Sequence, residues 1–180
     1  MNTQAITRKT ILRTRLFEVQ EIQVQLPNHK LHPYQLVRHT DSVTILPVDE
    51  QGFIHWVVQY RIGAGTELLE LPAGVMEAGE SPLECAHREI QEEIGMDASE
   101  LLPLGSFYLA PGYCSESNHA FLARRLSPAL RAKDEDEFIQ VQTFNLEASY
   151  KMAATGKIQD AKSLAALLLA KPILLASAEV

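Results

Sequence analysis

Three glutamates, Glu89, Glu92 and Glu93, fall within five residues of one another in the stretch HREIQEEIG (87–95). On a helix, positions i, i+3 and i+4 share one face, so these carboxylates are neighbours. Like charges repel there: at ~6 Å and an effective dielectric of ~20, each pair costs on the order of 3 kcal/mol, and less in full solvent. Arg88 is the basic residue beside them, and a further positive group should complete the arrangement. Hard oxygen ligands with no His or Cys partner suit Mg²⁺ or Mn²⁺ rather than zinc. Magnesium held by a few carboxylates usually also takes phosphate oxygens from a substrate. The pattern points to metal-assisted phosphate chemistry. The plain alternative for such a cluster is a solvated acidic face.

The elements that must position these residues are legible around them. Ser81 opens a helix, with Pro82 at its first position and Glu84 completing an S-x-x-E capping box. Gly95 is a C-terminal stop. Leu83, Ala86, Ile90 and Ile94 give the helix an apolar face. Upstream, FEVQEIQVQL (17–26) alternates apolar and polar residues but changes register near Gln20 and Glu21, which predicts a bulge or break there. Strands are predicted over 34–39, 43–48, 53–60 and 66–72, with DEQG (49–52) as a hairpin turn. They resume over 104–110, 120–126 and 138–145. Short helices follow over 146–155 and 160–170, separated by Gly156. Strands dominate the first half, and the class is α/β or α+β.

The 180 residues, 46% hydrophobic, suit one globular domain with a real core. A net charge of −7 argues against a general nucleic-acid binder. Residues 70–100 hold nine of the 23 acidic residues, and Asp134, Glu135, Asp136 and Glu137 are consecutive. Cys85 and Cys114 lack metal or disulfide spacing and read as free thiols of a reducing, cytoplasmic setting. The N-terminus carries no signal-peptide pattern, and the apolar run 164–170 is too short to span a bilayer. No membrane partner is expected.

Gly74, Glu80 and the run Arg88-Glu89-Ile90-Gln91-Glu92-Glu93-Ile94-Gly95-Met96 resemble the Nudix box at every fixed position. The resemblance implies the Nudix fold: an αβα sandwich around a mixed β-sheet, here with an N-terminal antiparallel β extension. It implies an N-terminal strand region over 1–42 that serves dimerisation, and a catalytic domain over 43–180. It also implies hydrolysis of a nucleoside diphosphate linked to another group. The residues matching Glu89, Glu92 and Glu93, with the backbone carbonyl of Ala73, would hold divalent metal, Mg²⁺ or Mn²⁺. Glu80 and Arg88 would orient that cluster, Arg88 through a salt bridge that shapes the helix.

Pro111, Gln59-Tyr60-Arg61 ahead of LELPAG (69–74), KDEDEFI (133–139) and GKIQDAKSL (156–164) are similar to the ADP-ribose pyrophosphatase subgroup. That likeness implies cleavage of ADP-ribose to AMP and ribose 5-phosphate. It makes Glu135 the general base and Glu137 a further metal ligand, the alternative for this run being a solvated acidic turn. Arg61 and Arg38 would contact the substrate, although an ordinary surface arginine is an equal reading of Arg38. Glu116 would bind the terminal ribose hydroxyls, and Tyr113 or Phe17 either stacks adenine or simply packs. A homodimer is expected. The alternatives are another nucleotide sugar such as GDP-mannose, and an ADP-ribose sensor that does not cleave.

Overall fold

The computed structural model describes residues 3–129, 131 and 138–176. Contacts divide the chain into two units, Met1–Asp41 with Tyr108–Ser117, and Ser42–Phe107 with Asn118–Val180. The first unit is built on an antiparallel sheet of β1 (Gln4–Arg13), β2 (Phe17–Gln25) and β3 (Leu31–His39). The β2–β3 register runs unbroken from Phe17↔His39 to Gln25↔Leu31, so β2 carries no break at Gln20. The irregularity lies across the ladder: Thr10 pairs with Gln20 and Leu12 with Val19, leaving Ile11 as the extra residue of β1. The slip in the apolar pattern was real in effect, but the neighbouring strand absorbs it.

The second unit holds two sheets and three helices. One sheet has the order β10-β5-β6, from β5 (Phe53–Arg61), β6 (Thr66–Glu70) and β10 (Gln140–Asn145). The other has the order β7-β4-β9-β8, from β4 (Ser42–Pro47), β7 (Ala73–Val75), β8 (Met96–Tyr108) and β9 (Ser117–Pro128). Here β4 pairs antiparallel with β7 and parallel with β9, which makes the expected mixed sheet. The predicted turn over 49–52 forms between β4 and β5, the Gly52 amide donating to the Asp49 carbonyl at 3.1 Å, but these strands do not extend it into a ladder. They share one bridge, Val48↔Ile54, and then part into different sheets. All six residues of β4 are buried, so this strand needs partners and cover on every side and cannot serve as half of an open hairpin.

The sandwich follows from the alternation of β4. Val43 and Ile45 pack with Cys85, Ala86 and Ile90 of α1 (Pro82–Ile94). Leu46, on the other face, packs with Trp56, Ala166, Leu167 and Leu174 beside α3 (Ala161–Ala176). Helix α2 (Leu146–Ala154) lies against β5 and β10. The last helix is predicted to end at 170, and it runs six residues further. Pro172 is inside α3, and the next turn continues to bury Leu174. Strand β8 starts eight residues earlier than predicted, since Met96 follows directly on the left-handed cap at Gly95 (φ 67°). The short β7 escaped sequence reading, three residues being too few for a periodicity.

Candidate active site

Helix α1 begins as its sequence dictates. The Ser81 hydroxyl accepts from the Glu84 amide at 3.3 Å, and the Glu84 carboxylate accepts from the Ser81 amide at 2.8 Å. Ala86, Ile90 and Ile94 of the predicted apolar face meet the core, but the buried stripe departs from it at Leu83 and takes in acids. Leu83 is 46% exposed, while Cys85, Ala86, Glu89, Ile90 and Glu93 are buried. The face turned to the sheet is therefore part acid. Its neighbour explains how: β7 runs alongside, and a Cβ at Gly74 would overlap the Glu89 carboxylate. A glycine is required there for space, not for conformation.

Three contacts fix the segment Leu71-Pro72-Ala73 that leads into β7. The Leu71 amide donates to Ser163 Oγ of α3 at 2.8 Å. The Ile45 amide of β4 donates to the Pro72 carbonyl at 2.9 Å. The Ala73 amide donates to Glu93 Oε2 of α1 at 3.1 Å.

Arg88 neutralises part of the acidic face. Its Nε and Nη2 fork onto the two Glu80 oxygens at 2.9 and 3.0 Å, and Nη1 is shared between Glu89 at 2.7 Å and Glu92 at 3.0 Å. Nη2 also donates to the Val75 carbonyl at 3.1 Å, which ties the helix to β7. The Arg88 bond holds the Glu80 carboxyl down to about 2, against the opposing effect of burial. The same bonds push the Arg88 guanidinium upward, so it stays charged. Arg131 Nε reaches the other Glu92 oxygen at 3.0 Å.

Glu80, Glu89, Glu92 and Glu93 carry four negative charges and Arg88 and Arg131 two positive ones, with Glu89 and Glu93 only 7% and 2% exposed. Among the described residues no three His, Cys, Asp or Glu side chains are drawn into a finished metal cage, and Arg88 lies between Glu89 and Glu92. A hard divalent cation fits what is present: carboxylate oxygens gathered on one helix face, no His or Cys among them, and a glycine cradle beside Glu89. Glu89, Glu92, Glu93 and the Ala73 carbonyl would be its ligands.

Arg61, at the end of β5, is not free. It forks onto Glu70 of β6, Nε to Oε1 at 2.8 Å and Nη2 to Oε2 at 2.7 Å. Lys162 Nζ joins the same Glu70 oxygen at 2.6 Å and Asp160 at 2.8 Å. Burial pushes the Glu70 carboxyl up, but the bonds from Arg61 and Lys162 outweigh it and the net direction is down. Sequence reasoning passed over Glu70, Asp160 and Lys162. The available signal was an acid inside the otherwise apolar run LLELP.

Arg38, Pro111 and Glu116 belong to the first unit. Arg38 is exposed and lines a cleft of about 600 Å³ with Arg13, Arg15, Phe17 and Asp41. Pro111 starts an exposed turn, and the Tyr113 ring in it is 62% exposed. Glu116 lies 3.7 Å from His39. Glu135 and Glu137 lie outside the described residues.

Comparison with known proteins agrees with this geometry. Residues 38–167 match the NUDIX domain family. The chain is 36% identical to an ADP-ribose pyrophosphatase of Bacillus subtilis (strain 168), over 89% of this chain and 90% of that one. It is 31% identical to the methanol dehydrogenase activator of Bacillus methanolicus, over 91% and 90% of the two chains. A solved structure titled as that of an ADP compounds hydrolase superposes with a TM-score of 0.89 at 26% identity, covering 100% of this chain and 98% of that one.

Proposed function

Because the chain belongs to the NUDIX family, a family of divalent-metal hydrolases of pyrophosphate bonds, we propose that its reaction is the Mg²⁺-dependent cleavage of ADP-ribose to AMP and ribose 5-phosphate. The observation that carries this reading is the gathering of the Glu89, Glu92 and Glu93 carboxylates on one helix face, two of them buried, beside a glycine that leaves room for Glu89. The similarity to an ADP-ribose pyrophosphatase over nine-tenths of both chains supports the choice of substrate.

A divalent cation at these glutamates supplies positive charge to the phosphate oxygens and makes a water more acidic. The chain's own groups do the rest. Glu89, Glu92, Glu93 and the Ala73 carbonyl hold the cation, with Glu137 a further ligand. Arg88 keeps Glu80, Glu89 and Glu92 in register through the bonds given above. Glu135 takes the proton of the attacking water. Arg61, with its Nε and Nη2 edge set on Glu70, turns its remaining nitrogen to the pyrophosphate. Arg38 adds a second contact, and Glu116 accepts from the terminal ribose hydroxyls beside Pro111. The fully exposed β1, with Ile6, Ile11 and Leu12 each about half exposed, supports a homodimer formed through the N-terminal strands. The free thiols support a cytoplasmic setting. Among the described residues no helix is long and apolar enough to cross a membrane.

The similarity to a solved ADP compounds hydrolase favours a second reading, in which other ADP-linked compounds share the site. One assay separates them. ADP-ribose, ADP-glucose, GDP-mannose and NADH are incubated with Mg²⁺ in ¹⁸O-labelled water and the products resolved. The first reading expects ADP-ribose to be cleaved most efficiently, to AMP and ribose 5-phosphate. Greater efficiency on another compound replaces it. A dimeric mass in solution checks the assembly.

A further inference from the structure

The carboxylate of Glu70, 1% exposed at the end of β6, takes no direct part in the chemistry above, yet it gathers two cations. Arg61 and Lys162 supply two positive charges, Glu70 and Asp160 two negative ones, and the cluster is balanced. Its members come from distant parts of the chain. Asp160 caps α3, accepting the Ser163 amide at 2.9 Å, and Ser163 in turn receives the Leu71 amide at the start of the segment leading to Ala73. The Arg61 side chain is 38% exposed while that of Lys162 is 14% exposed. Arg61 is thus the member of the cluster open to an incoming anion, and Lys162 is the inner cation.

We propose that Lys162 is a positioning residue for catalysis, supplying the second positive charge that Glu70 and Asp160 require, so that Arg61 meets the pyrophosphate as the outermost cation of a neutral cluster rather than of a negative one. The inference rests on the substrate contact assigned to Arg61 above. Without Lys162 the Arg61 charge is spent on Glu70, and Asp160 leaves the cluster with one negative charge in excess. A substrate that is itself anionic then meets a negative cluster where it met a neutral one with its cation outermost. Arg61 stays forked on Glu70 in either case, so the alignment of the fork survives and its field does not.

The test is steady-state kinetics of the full-length chain with Mg²⁺ and ADP-ribose, with a thermal melt for each variant. Lys162→Met is expected to raise KM about tenfold while kcat stays within about threefold, the size of one unit charge at partly screened range. Lys162→Arg, which keeps the charge, is expected to bring KM back to within about threefold of the wild type. Asp160→Asn keeps a good helix cap but removes a negative charge, so KM should hold steady or fall. A purely structural role predicts otherwise: lower melting temperatures, kcat falling with the folded fraction, and the same direction of change in Lys162→Met and Asp160→Asn. Either that pattern or an unchanged KM in Lys162→Met overturns the proposal. If the wild type spares ADP-ribose, the substrate reading fails, and the comparison is made on whichever nucleoside diphosphate compound it cleaves. An unchanged KM there overturns the role of Lys162 by itself, and no cleavage of any such compound overturns both.

Discussion

Two clusters of buried acid stand in the same unit and are solved in opposite ways. Around Glu70 the charges are matched by Arg61 and Lys162, every bond is 2.6–2.8 Å, and the arrangement needs nothing more. Along α1 one arginine is shared among Glu80, Glu89 and Glu92, and Arg131 reaches Glu92 from outside the helix. Burying carboxylates is costly, so a chain that keeps Glu89 and Glu93 under 10% exposure on one helix face holds them there against a penalty. The first cluster is closed by side chains from distant parts of the chain, and the second draws its arginine from the same helix as three of its acids.

The comparison can be broken most severely at Glu93. Glu93→Gln removes one charge from the cluster with little change in shape, and turnover should fall on the order of 10³-fold with substrate binding less affected. Rates alongside a metal titration check this, and unaltered turnover removes the metal role. Arg88→Met tests the basic member of the same cluster. It strips the counter-charge from Glu80 and Glu89 and should lower stability by about 3 kcal/mol, read from denaturant midpoints. Gly74→Ala leaves every charge in place and displaces Glu89 sterically, so kcat should drop about 100-fold with a modest change in melting. The smallest effect is a pH dependence. The folded pKa of Glu80 lies at about 2, below its usual 4.5, so its contribution is present above 4.5 and is lost as pH falls through about 2. Melts between those limits should decline less steeply in Glu80→Gln than in the wild type.

The α1 cluster was legible because helix geometry turns spacing into proximity. Glu89, Glu92 and Glu93 had to share a face, and Ser81, Pro82, Glu84 and Gly95 marked the ends. The role of Gly74 was legible only as a motif, since its steric reason lies in a side chain fifteen positions on. The Glu70 cluster was hidden for the same reason in stronger form. Its acid and its lysine stand 92 residues apart, and no local period relates a strand end to the start of a distant helix. Of the fold, the strands with clean alternation were found. What failed was partnership: 43–48 and 53–60 were both strands, but their pairing was decided by burial on both faces of β4, which a turn sequence does not report. Leu83 shows the converse error, an apolar residue at correct spacing displaced from the interface by acids the protein needed there.

The three backbone contacts on Leu71-Pro72-Ala73 have a dynamic consequence. Each goes to a different element, α3, β4 and α1, so the segment cannot open unless one of those elements opens with it. Amide exchange at Leu71 should therefore follow the breathing of α3, and exchange at Ala73 that of α1. A fray at the start of the last helix would be felt, through one serine hydroxyl, two residues from the carbonyl assigned to the metal.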